Sequence, residues 1–291
     1  VSEPPAGPPS TKPPTEPAPG QSDTTRTNIW RRAAGVPAQA QTDLLAREEP
    51  LEIRLRGESL TVTMRTPGHD AELAAGLLVS EGIVRRREEI LEIAYCRQGD
   101  SAAHDNILNV FLAPEVEFDF ARLTRHVFAS ASCGLCGKAS IEAIQQRFPP
   151  LEPPDKVVIE FATLLRLPQL LRAAQASFAR TGGLHAAGVF TPQGELIAVR
   201  EDIGRHNAVD KIVGLGFREG RLPFDQHVLL ISGRASFEIM HKALAARFPI
   251  VAAVSAPSDL AVEFAEQNGQ TLVGFLRSES ANVYSRPERI A

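Results

Sequence analysis

At 291 residues, 43% of them hydrophobic, the chain is long enough to bury a sizeable core, either in one large domain or in two smaller lobes. A formal net charge of −4 argues against a general nucleic-acid binder, which would carry a basic excess. Three cysteines, an odd number with two of them three positions apart, do not make a secreted disulfide framework and fit a reducing cytoplasm better.

Residues 1–43 are rich in Pro, Ser, Thr and Gly and read as a disordered tail, because such a composition cannot bury enough apolar surface to offset its ordering entropy. The tail has no apolar run of the secretory-signal kind, and no later stretch is long and apolar enough to span a bilayer. A lobe over 44–148 follows. It opens with a hairpin, one strand running to Leu55 and its partner from Leu60 to Met64, turned at Arg56-Gly57-Glu58. A helix from about Ala71 to Ser80 comes next, with Thr66 to Asp70 as cap candidates and Gly82 as its C′ residue. Strands are predicted at Ile90–Tyr95 and Ile107–Phe111, then a helix over Asp119–His126.

That helix leads to Ser130-Ala131-Ser132-Cys133-Gly134-Leu135-Cys136-Gly137-Lys138, where small residues leave both thiols within reach. A thiol reacts as its thiolate, and its ordinary pKa of about 8.5 leaves little ionised at neutral pH. A predicted helix at 139–147 would offer the positive end of its dipole, and Lys138 adds a full charge. Cys133 and Cys136 are therefore the candidate catalytic residues. A structural zinc site would need more ligands, such as Cys96 and His126, and a thioredoxin-type motif would want a strand and a βαβ unit just before it.

The proline-rich 149–155 reads as a linker to a second lobe, 149–291. One helix is expected from Pro168 to about Arg180. A hairpin over Ala186–Phe190 and Glu195–Arg200 comes next, then a helix opening at Glu201 to Lys211, in which Asp210 and Lys211 read as a surface pair. Two strand-to-helix units and a last strand at Thr271–Leu276 complete the order, which implies a mostly parallel sheet covered on both faces. Ligands of such sheets bind outside the carboxyl ends of the strands. Those ends carry Arg200, Asp202, Arg205, His206, Ser232, Gly233, Arg234 and Arg277, a set suited to an anionic, phosphate-bearing ligand. Neither a Walker loop nor a GxGxxG motif is present.

Ser132-Cys133-Gly134-Leu135-Cys136-Gly137 is similar to the signature of the FdhD family, the accessory sulfurtransferases needed for active formate dehydrogenase. The resemblance runs from about Leu45 to Arg289. It also rests on Met64-Arg65-Thr66-Pro67, Gly182-Gly183-Leu184-His185-Ala186-Ala187, Arg200 to Lys211, Ser232 to Glu238 and Gly274-Phe275-Leu276-Arg277. It implies a three-layer α/β sandwich of the cytidine-deaminase kind with a smaller N-terminal α+β lobe. The deaminase chemistry does not carry over: a zinc deaminase needs His-x-Glu and Pro-Cys-x-x-Cys, no histidine here is followed two residues on by Glu, and Ser132 precedes Cys133. The resemblance implies that Cys133 carries a persulfide taken from a cysteine desulfurase, with Cys136 assisting by exchange. It further implies transfer of that sulfur to a molybdenum or tungsten bis-guanine-dinucleotide pterin cofactor held by Phe275, Leu276, Arg277, Ser278, Glu279 and Ser280. No tightly held metal is expected. A homodimer, with the desulfurase and apo formate dehydrogenase as partners, is implied as well. Two other readings stand beside it, a zinc-stabilised binding module and a redox-sensing guanine-nucleotide-binding regulator without sulfur transfer.

Overall fold

The computed structural model describes residues 22–97, 105–118, 147–151 and 157–291. Cys133, Cys136, His126 and the helix expected over 119–126 lie outside the described residues, as does nearly all of that expected over 139–147.

Twelve strands are described. β1 (Thr24–Ala33) and β2 (Val36–Ala46) form a hairpin by themselves. β3 (Glu49–Leu55), β4 (Glu58–Arg65), β5 (Ile90–Tyr95) and β6 (Ile107–Leu112) make a four-stranded sheet in the order β4-β3-β6-β5. The remaining six are β7 (His185–Phe190), β8 (Leu196–Asp202), β9 (Val228–Ile231), β10 (Ile250–Ala253), β11 (Thr271–Gly274) and β12 (Asn282–Ser285), in the order β12-β11-β10-β9-β7-β8. The helices are α1 (Asp70–Ser80), α2 (Phe161–Leu164), α3 (Leu167–Ala174), α4 (Ala176–Thr181), α5 (Arg205–Arg218), α6 (Phe237–Ala245) and α7 (Asp259–Gln267).

Leu164, Leu167 and Leu171 of α2 and α3 pack on one face of the six-stranded sheet, against Phe190, Leu230 and Ala252. The alternate residues Val189, Leu229 and Val251 point the other way, into a core with Ile212 of α5, Met240 of α6 and Phe264 of α7. That core continues without interruption through Leu73 and Leu78 of α1 to Ile53 and Val110 of the four-stranded sheet. The order of layers is thus helices, six-stranded sheet, helices, four-stranded sheet. The two lobes read from the sequence share one core.

Four expectations are corrected. The tail ends earlier than residue 43, because 24–46 pair as an antiparallel ladder with one register shift, between Arg31 and Ala33. The six-stranded sheet is mixed, not mostly parallel: β9, β10 and β11 are parallel to one another, while β7 is antiparallel to β8 and β9 and β12 is antiparallel to β11. The strand expected over 271–276 stops at Gly274, and β12 follows it. The single helix expected from Pro168 to Arg180 is two, broken at Gln175, whose ψ of 79° is not helical. The Glu201 carboxylate accepts the free amides of Ser177 (2.9 Å) and Phe178 (2.7 Å), so α4 starts anew with its own cap.

α1 and α5 approach backbone to backbone at Gly76 and Gly214. A Cβ on Gly76 would lie 1.8 Å from the carbonyl oxygen of Asp210, and one on Gly214 would lie 1.8 Å from that of Glu72. Only glycine permits this approach.

Candidate functional site

Because β7 runs against β8 and β9, the amino end of β7 lies at the same sheet edge as the carboxyl ends of β8, β9, β10 and β11. The register sets His185 opposite Asp202 and Ala187 opposite Ile231. Along that edge, in spatial order, stand the turn after β11 with Phe275 to Ser280, the end of β10 with Val254, Ser232-Gly233-Arg234 after β9, and the opening of α5 at Arg205 and His206.

The predicted residues divide into open and closed groups. Arg200 is closed: its Nε and Nη2 donate to Glu72 at 2.5 and 2.8 Å, with both side chains buried. Burial alone would raise the Glu72 carboxyl, but the bonds from Arg200 and His69 overcome it and hold it at about 2. Asp202 is closed as well. It is fully buried, paired with Lys211 at 2.6 Å, and accepts from the amide of Thr66 and the side chain of Asn207. Neither residue is available to a ligand, contrary to the expectation. Lys211 and Asp210 are not a surface pair either, since Lys211 pairs with Asp202 and Asp210 with Lys242 at 2.7 Å, all of them buried.

His206 is half-closed. Its Nε2 lies 3.2 Å from Ser236 Oγ and 3.6 Å from Glu238, and burial, with Lys242 and Arg205 nearby, lowers its pKa to about 4. The ring is neutral at pH 7. It therefore adds a hydrogen-bonding group to the edge and no charge.

The open group is cationic. Arg205 opens α5, and its Nε is buried with no hydrogen-bond partner among the described residues. Among the described residues no side chain caps α5, a 14-residue helix, so its amino end presents amides beside Arg205. Gly233 fits between His185 and Arg205, since a Cβ there would lie 3.3 Å from His185 Nδ1 and 3.5 Å from Arg205 Cδ. Arg234 is exposed, while Ser232 Oγ accepts the amide of Ala186 at 2.9 Å and fixes this turn to β7. At the other end, Leu276 is buried, and its amide bonds Ala253 O at 3.1 Å. The Arg277 amide bonds Ser280 O at 2.8 Å, closing a tight turn that leaves Ser278, Glu279 and Ser280 exposed. Arg277 donates through Nη1 to the carbonyls of Val254 and Leu276 and is otherwise in solvent. Phe275 has φ 49°, a backbone conformation that an aromatic residue seldom adopts, and the residue is 43% exposed.

Beside this edge lies a cavity of ≈ 480 Å³, walled by Leu171, Phe178, Leu184 and Val254, with His185, Ser232, Gln175 and the Gly182-Gly183 backbone supplying polar groups. The Arg172 guanidinium sits 3.8 Å above the Phe178 ring. Burial, followed by the charge of Arg205, lowers the His185 pKa, so His185 is neutral here too. None of these lining residues except Ser232 was picked out as a site residue from sequence. The one available signal was Gly182-Gly183-Leu184-His185, a glycine pair ahead of a strand. A mostly apolar cavity with a few polar groups suits a planar ring, and the adjacent cationic edge suits phosphates.

The family model described as the FdhD/NarQ family matches residues 46–291. A protein of Mycobacterium tuberculosis named sulfur carrier protein FdhD is 52% identical over 255 residues, covering 85% of this chain and 92% of that protein. Another so named, from Streptomyces avermitilis, is 52% identical over 252 residues, covering 86% and 89%. A crystal structure described as that of a formate dehydrogenase accessory protein from Desulfotalea psychrophila superposes with a TM-score of 0.73 at 26% identity, over 93% of this chain and all of the other.

Proposed function

The chain belongs to the FdhD/NarQ family, and on that premise we propose that it is a sulfur carrier serving formate dehydrogenase. In this reading Cys133 accepts the terminal sulfur of a cysteine desulfurase persulfide. The Cys133 thiolate attacks that sulfur, the desulfurase cysteine leaves as its thiolate, and no external oxidant is needed. Cys136 protects or relays the persulfide by exchange. The loaded sulfur then passes to a molybdenum or tungsten bis-guanine-dinucleotide pterin, which is the substrate and not a resident cofactor, before apo formate dehydrogenase receives it. The work is cytoplasmic, and the hairpin β7–β8 followed by strand–helix alternation is consistent with a deaminase-like sandwich.

The observation that carries the substrate assignment is the cationic edge beside a ring-sized cavity. Arg205, Arg234 and Arg277, with the open amino end of α5, supply charge and donors for phosphates, and Phe275 offers a face for stacking. At ≈ 480 Å³ the cavity takes one nucleotide end of so large a molecule, and the rest must run along the exposed turn 277–280. The Arg200 and Asp202 pairs hold this edge in place from behind and do not touch the ligand.

The test is intact mass after incubation with a cysteine desulfurase, cysteine and pyridoxal phosphate. The expected result is a reducible gain of sulfur that persists in Cys136→Ala and disappears in Cys133→Ala. No gain in the wild-type chain, or tightly held zinc in its native mass, would sink the carrier reading.

A further inference from the structure

Gln175 stands where the pattern of the chain calls for an apolar residue. Leu167 and Leu171 of α3 lie four apart and pack into the core, and the next position of that stripe is Gln175. It too is buried, 4% exposed, and it lines the ≈ 480 Å³ cavity with Leu171 and Phe178. Its main chain is fixed on both sides: the amide donates to Arg172 O at 3.3 Å and the carbonyl accepts from Ala179 at 3.0 Å. Its side chain has no such task. Gln175 is the N-cap of α4 without capping it, since the Glu201 carboxylate takes the amides of Ser177 and Phe178. Among the described residues the Gln175 side chain makes no hydrogen bond. A buried amide without a partner is destabilising, so glutamine here costs the fold something that leucine would not.

What the amide offers is an acceptor, Oε1, beside a donor, Nε2. That pair matches a ring edge on which a donor and an acceptor stand side by side. A purine presents such an edge in two forms, N1–H with O6 in a 6-oxopurine or N1 with the 6-amino group in adenine, and glutamine alone could turn over to suit either. The other donors of the cavity decide. Ser232 Oγ already accepts the amide of Ala186, which leaves its O–H to donate. Arg172, whose guanidinium lies over Phe178, can only donate. Walls with this excess of donors take a carbonyl better than an amino group, which would leave them unpaired.

We infer that Gln175 selects a 6-oxopurine in this cavity, Oε1 accepting from N1–H and Nε2 donating to O6. The pair is used up there, so the 2-amino group that separates guanine from hypoxanthine is not read. The inference rests on the nucleotide-bearing substrate proposed above and names the edge by which its base is chosen.

The experiment is isothermal titration calorimetry of the full chain with GDP, IDP and ADP, on wild type, Gln175→Leu and Gln175→Glu, with a urea curve for each protein. Wild type should bind GDP and IDP alike and ADP at least about tenfold more weakly, the discrimination typical of one bidentate pair. Gln175→Leu should weaken GDP about tenfold and leave ADP unchanged, so that the preference collapses. Its urea midpoint should rise, because the apolar stripe is completed; a lower midpoint would give the amide a structural role instead. A carboxylate accepts from two adjacent donors, so Gln175→Glu should newly prefer GDP, which presents N1–H and the 2-amino group, over IDP. ADP equal to GDP in wild type, IDP as weak as ADP, or a GDP-to-ADP ratio indifferent to Gln175→Leu would each overturn the inference while nucleotide binding itself stands. Failure of wild type to bind any of the three would remove both the inference and the substrate assignment beneath it.

Discussion

Arg200 directs its guanidinium inward. Nε and Nη2 meet Glu72 and Nη1 meets the carbonyl of Val199, so the residue joins β8 to α1. Removing one member of such a buried pair typically costs about 3–5 kcal/mol, because the other charge is left without a partner. Glu72→Gln should therefore be strongly destabilised in urea at pH 7. The pH dependence follows from the sign of the shift. The Glu72 carboxyl is depressed in the folded protein to about 2 from 4.5, so its contribution is complete above pH 4.5 and is lost as pH falls towards 2. The gap between wild type and Glu72→Gln should close over that interval; a constant gap would show that the pair is not what the substitution removes. Sequence alone pointed to Arg200 and Asp202 as ligand contacts because the strand was read as ending at Arg200. It runs to Asp202, and the period of two sends both residues to the same inner face. Arg205, Arg234 and Arg277 lie beyond strand ends, where that constraint no longer applies, and they remain open.

Among the elements, the crossing of α1 and α5 is the tightest. Gly76→Ala and Gly214→Ala each place a methyl group 1.8 Å from a carbonyl oxygen of the facing helix, so the helices must separate. The cost should be about 3 kcal/mol or more for either, at the upper end of overpacking, as read by chemical denaturation. The double variant should cost less than the sum, since one separation relieves both clashes. Full additivity would place the two contacts apart. These glycines were invisible as contact residues from sequence, because a helix-tolerated glycine declares nothing about its neighbour. The strands and helices from 49 to 95 and from 185 to 274 were legible, since apolar periodicity and turn glycines mark them, Gly82 at φ 66° and Gly194 at φ 89° included. The hairpin 24–46 was not. Its larger apolar residues fall in adjacent pairs, Ile29-Trp30 and Leu44-Leu45, among Thr, Arg, Gln and Ala, so no period of two separates it from a polar tail.

At the scale of the molecule, one hydrophobic core extends from Leu272 of the six-stranded sheet to Ile53 of the four-stranded one. An ion pair, Arg200 with Glu72, and a hydrogen bond from the Lys211 ammonium to the Thr66 carbonyl at 2.9 Å cross the same boundary. The body from 49 to 291 should therefore unfold in one step, with far-ultraviolet circular dichroism and the near-ultraviolet signal of Tyr95 and Tyr284 tracing the same urea curve. Two separated transitions would restore the two-lobe reading. The composition break at 149–155 suggested a linker, yet Leu151 donates to Asn268 and Arg247 to the carbonyls of Pro149 and Pro150, so residues 149–151 are fastened to the body.

Strand β8 joins the layers in another sense. Arg200 and Asp202 face α1 and α5, while Glu201 between them faces the other way and starts α4, a wall of the cavity. A slip of β8 by one residue would exchange those faces and undo all three attachments together. Lineages of this chain are therefore free to lengthen or shorten the turn at 191–194, of which Gln193 is exposed, only where the ladder is preserved. Length variation there should come as whole turn replacements, and a single inserted residue within 196–202 should be selected against more strongly than any substitution in the strand.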